Sequence, residues 1–180
     1  VNLRAPDPAS LSAIAGVELG FAYAGIRKAQ RRDLMLMRFA PGTRVAGVFT
    51  QNSFAAAPVL VCRERMRAGT PITALLVNAG NANCGTGEKG LAAARASCEA
   101  AAKLLGCTPQ QVLPFSTGVI LEDLPVDRLI AALPSCVETL AANHWADAAA
   151  AIMTTGRGER DLAVPTPRGV ADPRNRRVEI

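Results

Sequence analysis

Residues 72–90 read ITALLVNAGNANCGTGEKG, and this stretch decides how the chain is layered. Residues 72–78 form an apolar run of strand length, as expected for a strand buried on both faces. The segment that follows, AGNANCGTGEKG, is rich in turn residues. Thr86 is placed to cap a helix, and Glu88 falls in its first turn, where a carboxylate meets the positive end of the helix dipole. Leu91, Ala94, Cys98, Ala101 and Leu105 then recur at three- and four-residue spacing. A helix over 87–105 therefore carries one apolar face, and Gly106 ends it.

Working outward, QVLPFSTGVI reads as a strand leading into a loop, followed by Pro125 at the first position of another helix. Pro134 is expected to interrupt that helix or restart it after a kink. A last helix is expected over 144–153, HWADAAAAIM. On the N-terminal side, DLMLMRFA (33–40) and RVAGVFT (44–50) flank APGT and read as a hairpin or two adjacent strands. PVLVC (58–62) adds a strand or opens a helix. Strands and helices alternate without a strict β-α-β rhythm and without internal repeats. The expected class is α+β, or layered α/β, with a mixed sheet packed against helices.

The 180 residues suffice for one domain with a real core. Hydrophobic residues make up 49% and charged residues 19%, a globular balance; with aromatics at 4%, the core must be aliphatic. The net charge of +5 comes without aromatics interleaved among Lys and Arg, so nucleic acid is not an expected partner. No apolar run reaches the about 18 residues that span a bilayer, and no membrane partner is expected. VNLRAPDPAS at the start carries no apolar signal core, so the expected compartment is the cytoplasm. From Gly156 onward the chain holds six Arg, four acids and three Pro without periodicity. The expected division is a domain over 1–155 and a divergent basic tail over 156–180.

Cys62, Cys84, Cys98, Cys107 and Cys136 are odd in number and form no C-x-x-C, which argues against a disulfide framework or a zinc site. They read as buried thiols; the sharper alternative, a nucleophilic cysteine, would need the single histidine, His144. Gly80 and Gly85 stand five apart as in a phosphate loop, but Thr86-Gly87 follows where Lys-Ser/Thr is needed. Asn78, Asn81 and Asn83 read instead as turn residues satisfying their own backbone. Carboxylates show no clustering suited to a metal or to paired acid–base work.

Ser116-Thr117-Gly118 interrupts an apolar run and is not a G-x-S-x-G elbow, since Pro114 holds the place of the first glycine. Two readings stay open on the residues alone. One is a structural turn. The other is an oxyanion hole, in which a glycine lets a ligand approach the backbone and a neighbouring hydroxyl supplies a second donor.

AGIRKAQRRDLML, AGVFTQNSFAAAPV, ALLVNAGNANCGTGEKG, VLPFSTGVI and AIMTT occur in this order over roughly residues 11 to 155. Together they resemble the ornithine acetyltransferase family, the bifunctional glutamate N-acetyltransferases of arginine biosynthesis. The resemblance implies an ornithine acetyltransferase/aminopeptidase-like fold. It implies a precursor that cleaves itself before an internal threonine, leaving α and β chains associated as a heterotetramer. The N-terminal Thr of β is then the nucleophile and its own α-amine the base. Acetyl passes from N-acetylornithine to that Thr and on to glutamate, and some members also accept acetyl-CoA. No cofactor is implied. By position, Thr117 and Gly118 match the oxyanion-hole pair, and Thr154 in MTT matches a substrate-binding threonine.

The sequence also departs from the family. Gly156 follows MTT where the family has Asp, and no Lys follows Lys103. The expectation is an α-chain-like portion that needs a β chain and transfers no acetyl group by itself. Two further readings stand beside it: a non-catalytic interaction subunit of the same fold, and a related hydrolase such as an aminopeptidase.

Overall fold

A computed structural model of the chain describes residues 7–153. Thr154, the 155/156 domain boundary and the tail 156–180 lie outside the described residues.

Among these residues one four-stranded sheet is built from β1 (Val17–Ala22), β2 (Leu34–Phe39), β3 (Ala74–Asn81) and β4 (Val112–Val119), in the order β1-β2-β3-β4. β1/β2 and β2/β3 pair antiparallel, whereas β3/β4 pair parallel, so the sheet is mixed. The parallel pair is joined by α2 (Gly87–Leu105). The other helices are α1 (Ala57–Arg67), α3 (Val126–Glu138) and α4 (Trp145–Ile152). The α+β expectation holds.

The two faces of the sheet are covered differently, because side chains alternate along each strand. Ala22, Leu34, Leu36, Ala74, Leu76 and Val112 form one face, buried against Cys98, Ala101 and Ala102 of α2 and Leu129, Leu133 and Cys136 of α3. This is the main core, and truncating Leu133 to Ala would cost about 2–5 kcal/mol. On the other face Leu19 and Met35 pack against Ala148 and Ala151 of α4. Leu113 on that face meets Cys62 of α1.

Helix α2 follows its sequence signals closely. Ala94, Cys98 and Ala101 are buried, and Gly106 closes the helix in the left-handed region with φ +69°. Thr86 occupies the N-cap position but makes no capping hydrogen bond. Residues 58–62 are the helical alternative of the two expected, inside α1. Pro125 is the N-cap of α3 rather than its first residue, and the helix runs through Pro134 without interruption.

The expected hairpin between 33–40 and 44–50 does not form. β2 pairs instead with β1 and β3. Both of its edges are taken, so residues 44–50 find no free strand beside them; the chain turns at Thr43, whose N–H donates to Ala40, and Val48 stands 99% exposed. β1, unassigned from sequence, holds a glycine in mid-strand, ordinarily a sign against a strand. Gly20 is there because α3 closes on it: a Cβ would lie 1.9 Å from the Cys136 carbonyl oxygen.

Asp33 at the head of β2 is fully buried. Its carboxylate accepts from the Ala24 and Ile26 N–H groups, both at 2.6 Å, and so folds the connection after β1 back onto the sheet. Burial pushes its carboxyl above the ordinary range, while these N–H donors pull it down.

Candidate active site

Ser116-Thr117-Gly118 is neither a turn nor the break of a strand. It lies inside β4, paired in register with Asn78, Ala79 and Gly80 of β3. Because the strand continues through it, no donors are freed by a strand end; the edge of the sheet leaves them free instead. β4 is the edge of the sheet. A parallel edge strand directs alternate residues' N–H and C=O groups toward its one neighbour and the rest outward.

Which residues point outward can be read from α1. The Arg65 guanidinium donates to the Val112 carbonyl, and the Cys62 thiol to that of Pro114 at 3.2 Å. Residues 112 and 114 thus face α1, away from β3. Pro114 fits this side because its missing N–H removes no bond to β3. On the inner side, the Val119 carbonyl accepts from Ala82 N–H on the chain leaving β3. Alternation then turns the N–H of Gly118 outward. No bond from α1 reaches past Pro114 among those described, and Thr117 and Gly118 are partly exposed.

The Thr117–Gly118 end is held by a buried asparagine cluster. Ser116 Oγ donates to Asn78 Oδ1 at 2.6 Å, and Asn78 Nδ2 donates to the Asn81 carbonyl at 2.9 Å. Asn81 Nδ2 donates to the carbonyls of Glu122 and Asp123 at 3.1 and 3.2 Å. Asn83 N–H donates to Asn81 Oδ1, and Asn83 Nδ2 to the Gly90 carbonyl of α2. The turn reading suits the Asn81–Asn83 contact. Asn78 and Asn81 reach further, across to β4 and to the loop beyond it. Sequence reasoning missed these roles; the available signal was three asparagines within and just after the C-terminal half of a buried strand.

Glu122 pairs with Arg27 at 2.7 Å, and Asp123 with Lys89 at 3.5 Å. These pairs are well exposed, and such pairs contribute about 0–1 kcal/mol each. Among the described residues no cluster of His, Cys, Asp and Glu could hold a metal ion, and no helix is long and apolar enough to cross a membrane.

The histidine that a cysteine nucleophile would need is not gathered here. His144 precedes α4, its Nδ1 2.8 Å from the Thr139 carbonyl and its ring edge-on to Phe21 of β1. That is the opposite edge of the sheet from Thr117. The five cysteines are all free. Burial raises the thiols of Cys62 and Cys136 to about 12, far from a reactive thiolate.

The profile of the ArgJ family matches residues 18–171, running past residue 155 where the motif resemblance stops. The arginine biosynthesis bifunctional protein ArgJ of Colwellia psychrerythraea is 47% identical across 86% of this chain, and the chain spans 39% of that protein's length. The crystal structure of ornithine acetyltransferase complexed with ornithine from Mycobacterium tuberculosis superposes with a TM-score of 0.74 at 36% identity. That match covers 78% of this chain and 77% of the other. The arginine biosynthesis bifunctional protein from Bacillus halodurans gives a TM-score of 0.63 at 29% identity, covering 67% and 64%.

Proposed function

The chain belongs to the ArgJ family, and on that premise we propose that it is the α-like portion of an acetyltransferase of arginine biosynthesis. It supplies the oxyanion hole, and a β portion supplies an N-terminal Thr nucleophile. The observation that carries this reading is the outward-facing N–H of Gly118, next to the Thr117 hydroxyl, on the stretch of β4 beyond α1. The relatives' names, one a bifunctional protein of arginine biosynthesis and one an ornithine acetyltransferase bound to ornithine, point to the substrate class.

In this mechanism the Thr hydroxyl of β attacks the acetyl carbonyl of N-acetylornithine while its own α-amine takes the proton. The carbonyl oxygen becomes an oxyanion and accepts from Thr117 Oγ1 and Gly118 N–H. Collapse breaks the C–N bond, the α-amine returns the proton to the leaving amine, and ornithine departs from an acetyl-Thr ester. The amine of glutamate then attacks that ester through the same hole, giving N-acetylglutamate and free Thr. His144 and the cysteines take no part.

The test is acetyl transfer from N-acetylornithine to glutamate by this chain assembled with a β chain beginning with Thr. Thr117→Ala should lower kcat about 10²–10³-fold, the usual effect of removing one such donor. KM should move little, because the bond is made mainly in the transition state. An unchanged kcat would return Ser116-Thr117-Gly118 to a purely structural role. Acetyl-CoA offered as donor in the same assay decides whether it also serves.

A further inference from the structure

We propose that Asn78 is a positioning residue for the oxyanion pair, acting through Ser116. The inference rests on the role proposed above for Thr117 and Gly118. Asn78 is 3% exposed, in a strand whose neighbouring positions are almost wholly apolar. It stands directly opposite Ser116 in the β3/β4 ladder, and Ser116 Oγ donates to Asn78 Oδ1 at 2.6 Å.

The amide cannot turn over without loss. Its Nδ2 donates to the Asn81 carbonyl at 2.9 Å, which leaves Oδ1 as the atom that faces Ser116. Asn81 is itself fastened to the Glu122 and Asp123 carbonyls. The relay thus ties the residue just before Thr117 to both segments flanking the site. An apolar pair at 78 and 116 would fill the same space without polar groups to satisfy. The polar pair adds direction: it fixes the Ser116 backbone, and with it where the Thr117 hydroxyl and the Gly118 N–H point.

A displacement of a positioned group by about 1 Å can cost roughly 10²-fold in rate. In the chain assembled with its β portion, Ser116→Ala should therefore lower kcat about tenfold or more, with KM within a few-fold. Its melting temperature should drop only modestly, through the Asn78 Oδ1 left without its donor, so that the protein stays folded in the assay. Ser116→Thr, which keeps the hydroxyl, should restore most of the rate. In a Thr117→Ala background, Ser116→Ala should cause a smaller further loss than in the parent, because only the Gly118 N–H is left to misplace and coupled residues are not additive. An unchanged kcat in Ser116→Ala, or the same fold-loss with and without Thr117, would overturn the relay while leaving the oxyanion hole standing. A Thr117→Ala enzyme of full activity would instead overturn the hole, and the relay with it.

Discussion

Gly118 of β4 stands opposite Gly80 of β3, so close that a Cβ on Gly118 would lie 2.4 Å from the Gly80 carbonyl carbon. Gly118 also adopts φ +138°, a region that side chains avoid. The two strands touch through bare backbone at the end where donors are needed.

Gly118→Ala should accordingly destabilise the chain twice over. The backbone conformation alone costs about 1–3 kcal/mol, and the contact adds to it by forcing β3 and β4 apart. Gly87→Ala is the control, since Gly87 has φ +58° but nothing within 4 Å of the added carbon. Urea unfolding should rank Gly118→Ala clearly below Gly87→Ala. Equal losses would show that the close approach is not maintained in solution.

His144→Ala should leave turnover of the assembled enzyme within a few-fold, because its ring lies at the β1 edge against Phe21. Loss of its contact with the Thr139 carbonyl should cost about 0.5–1.5 kcal/mol, seen as a modest drop in melting temperature. A kcat loss comparable to that of Thr117→Ala would refute the amine-base mechanism.

Asp33 should make stability depend on pH in the acid range. Burial raises its folded-state pKa above the unfolded value of 3.8. Below 3.8 both states hold the proton, and this contribution is fully present. As pH rises toward the folded value, the unfolded chain releases its proton first, and stability falls. Denaturant midpoints taken upward from pH 3.8 should show this fall in the parent and not in Asp33→Asn. Identical pH profiles for the two proteins would rule the effect out.

Thiol alkylation should report whether α1 stays on the edge of β4. Cys62 is 2% exposed with its thiol raised to about 12, whereas Cys107 is only partly buried. Mass spectrometry after brief treatment of the native chain with iodoacetamide should find Cys107 modified well before Cys62, Cys98 and Cys136. Early modification of Cys62 would mean that α1 lifts away and that more of β4 is open than residues 115–119.

What sequence alone determined here is local. The apolar stripe of α2 with its closing Gly106, the α+β layering and a buried strand expected over 72–78, found as β3 over Ala74–Asn81, follow from periodicity and from residues whose conformations are restricted. The motif order from AGIRKAQRRDLML to AIMTT was also legible, and it points to the family without any coordinates. Pairing was not legible. RVAGVFT has strand composition but no strand, because β1 and β3 occupy both edges of β2. β1 is a strand in spite of Gly20, because α3 presses where a side chain would be. Ser116-Thr117-Gly118 reads as a break in an apolar run, yet the strand continues through it, since Asn78 and Gly80 meet it in register. Only the tertiary structure decided which N–H of that stretch turns outward. That direction depends on the side of β4 that faces β3, and a strand's neighbours are chosen by contacts between residues far apart in the chain.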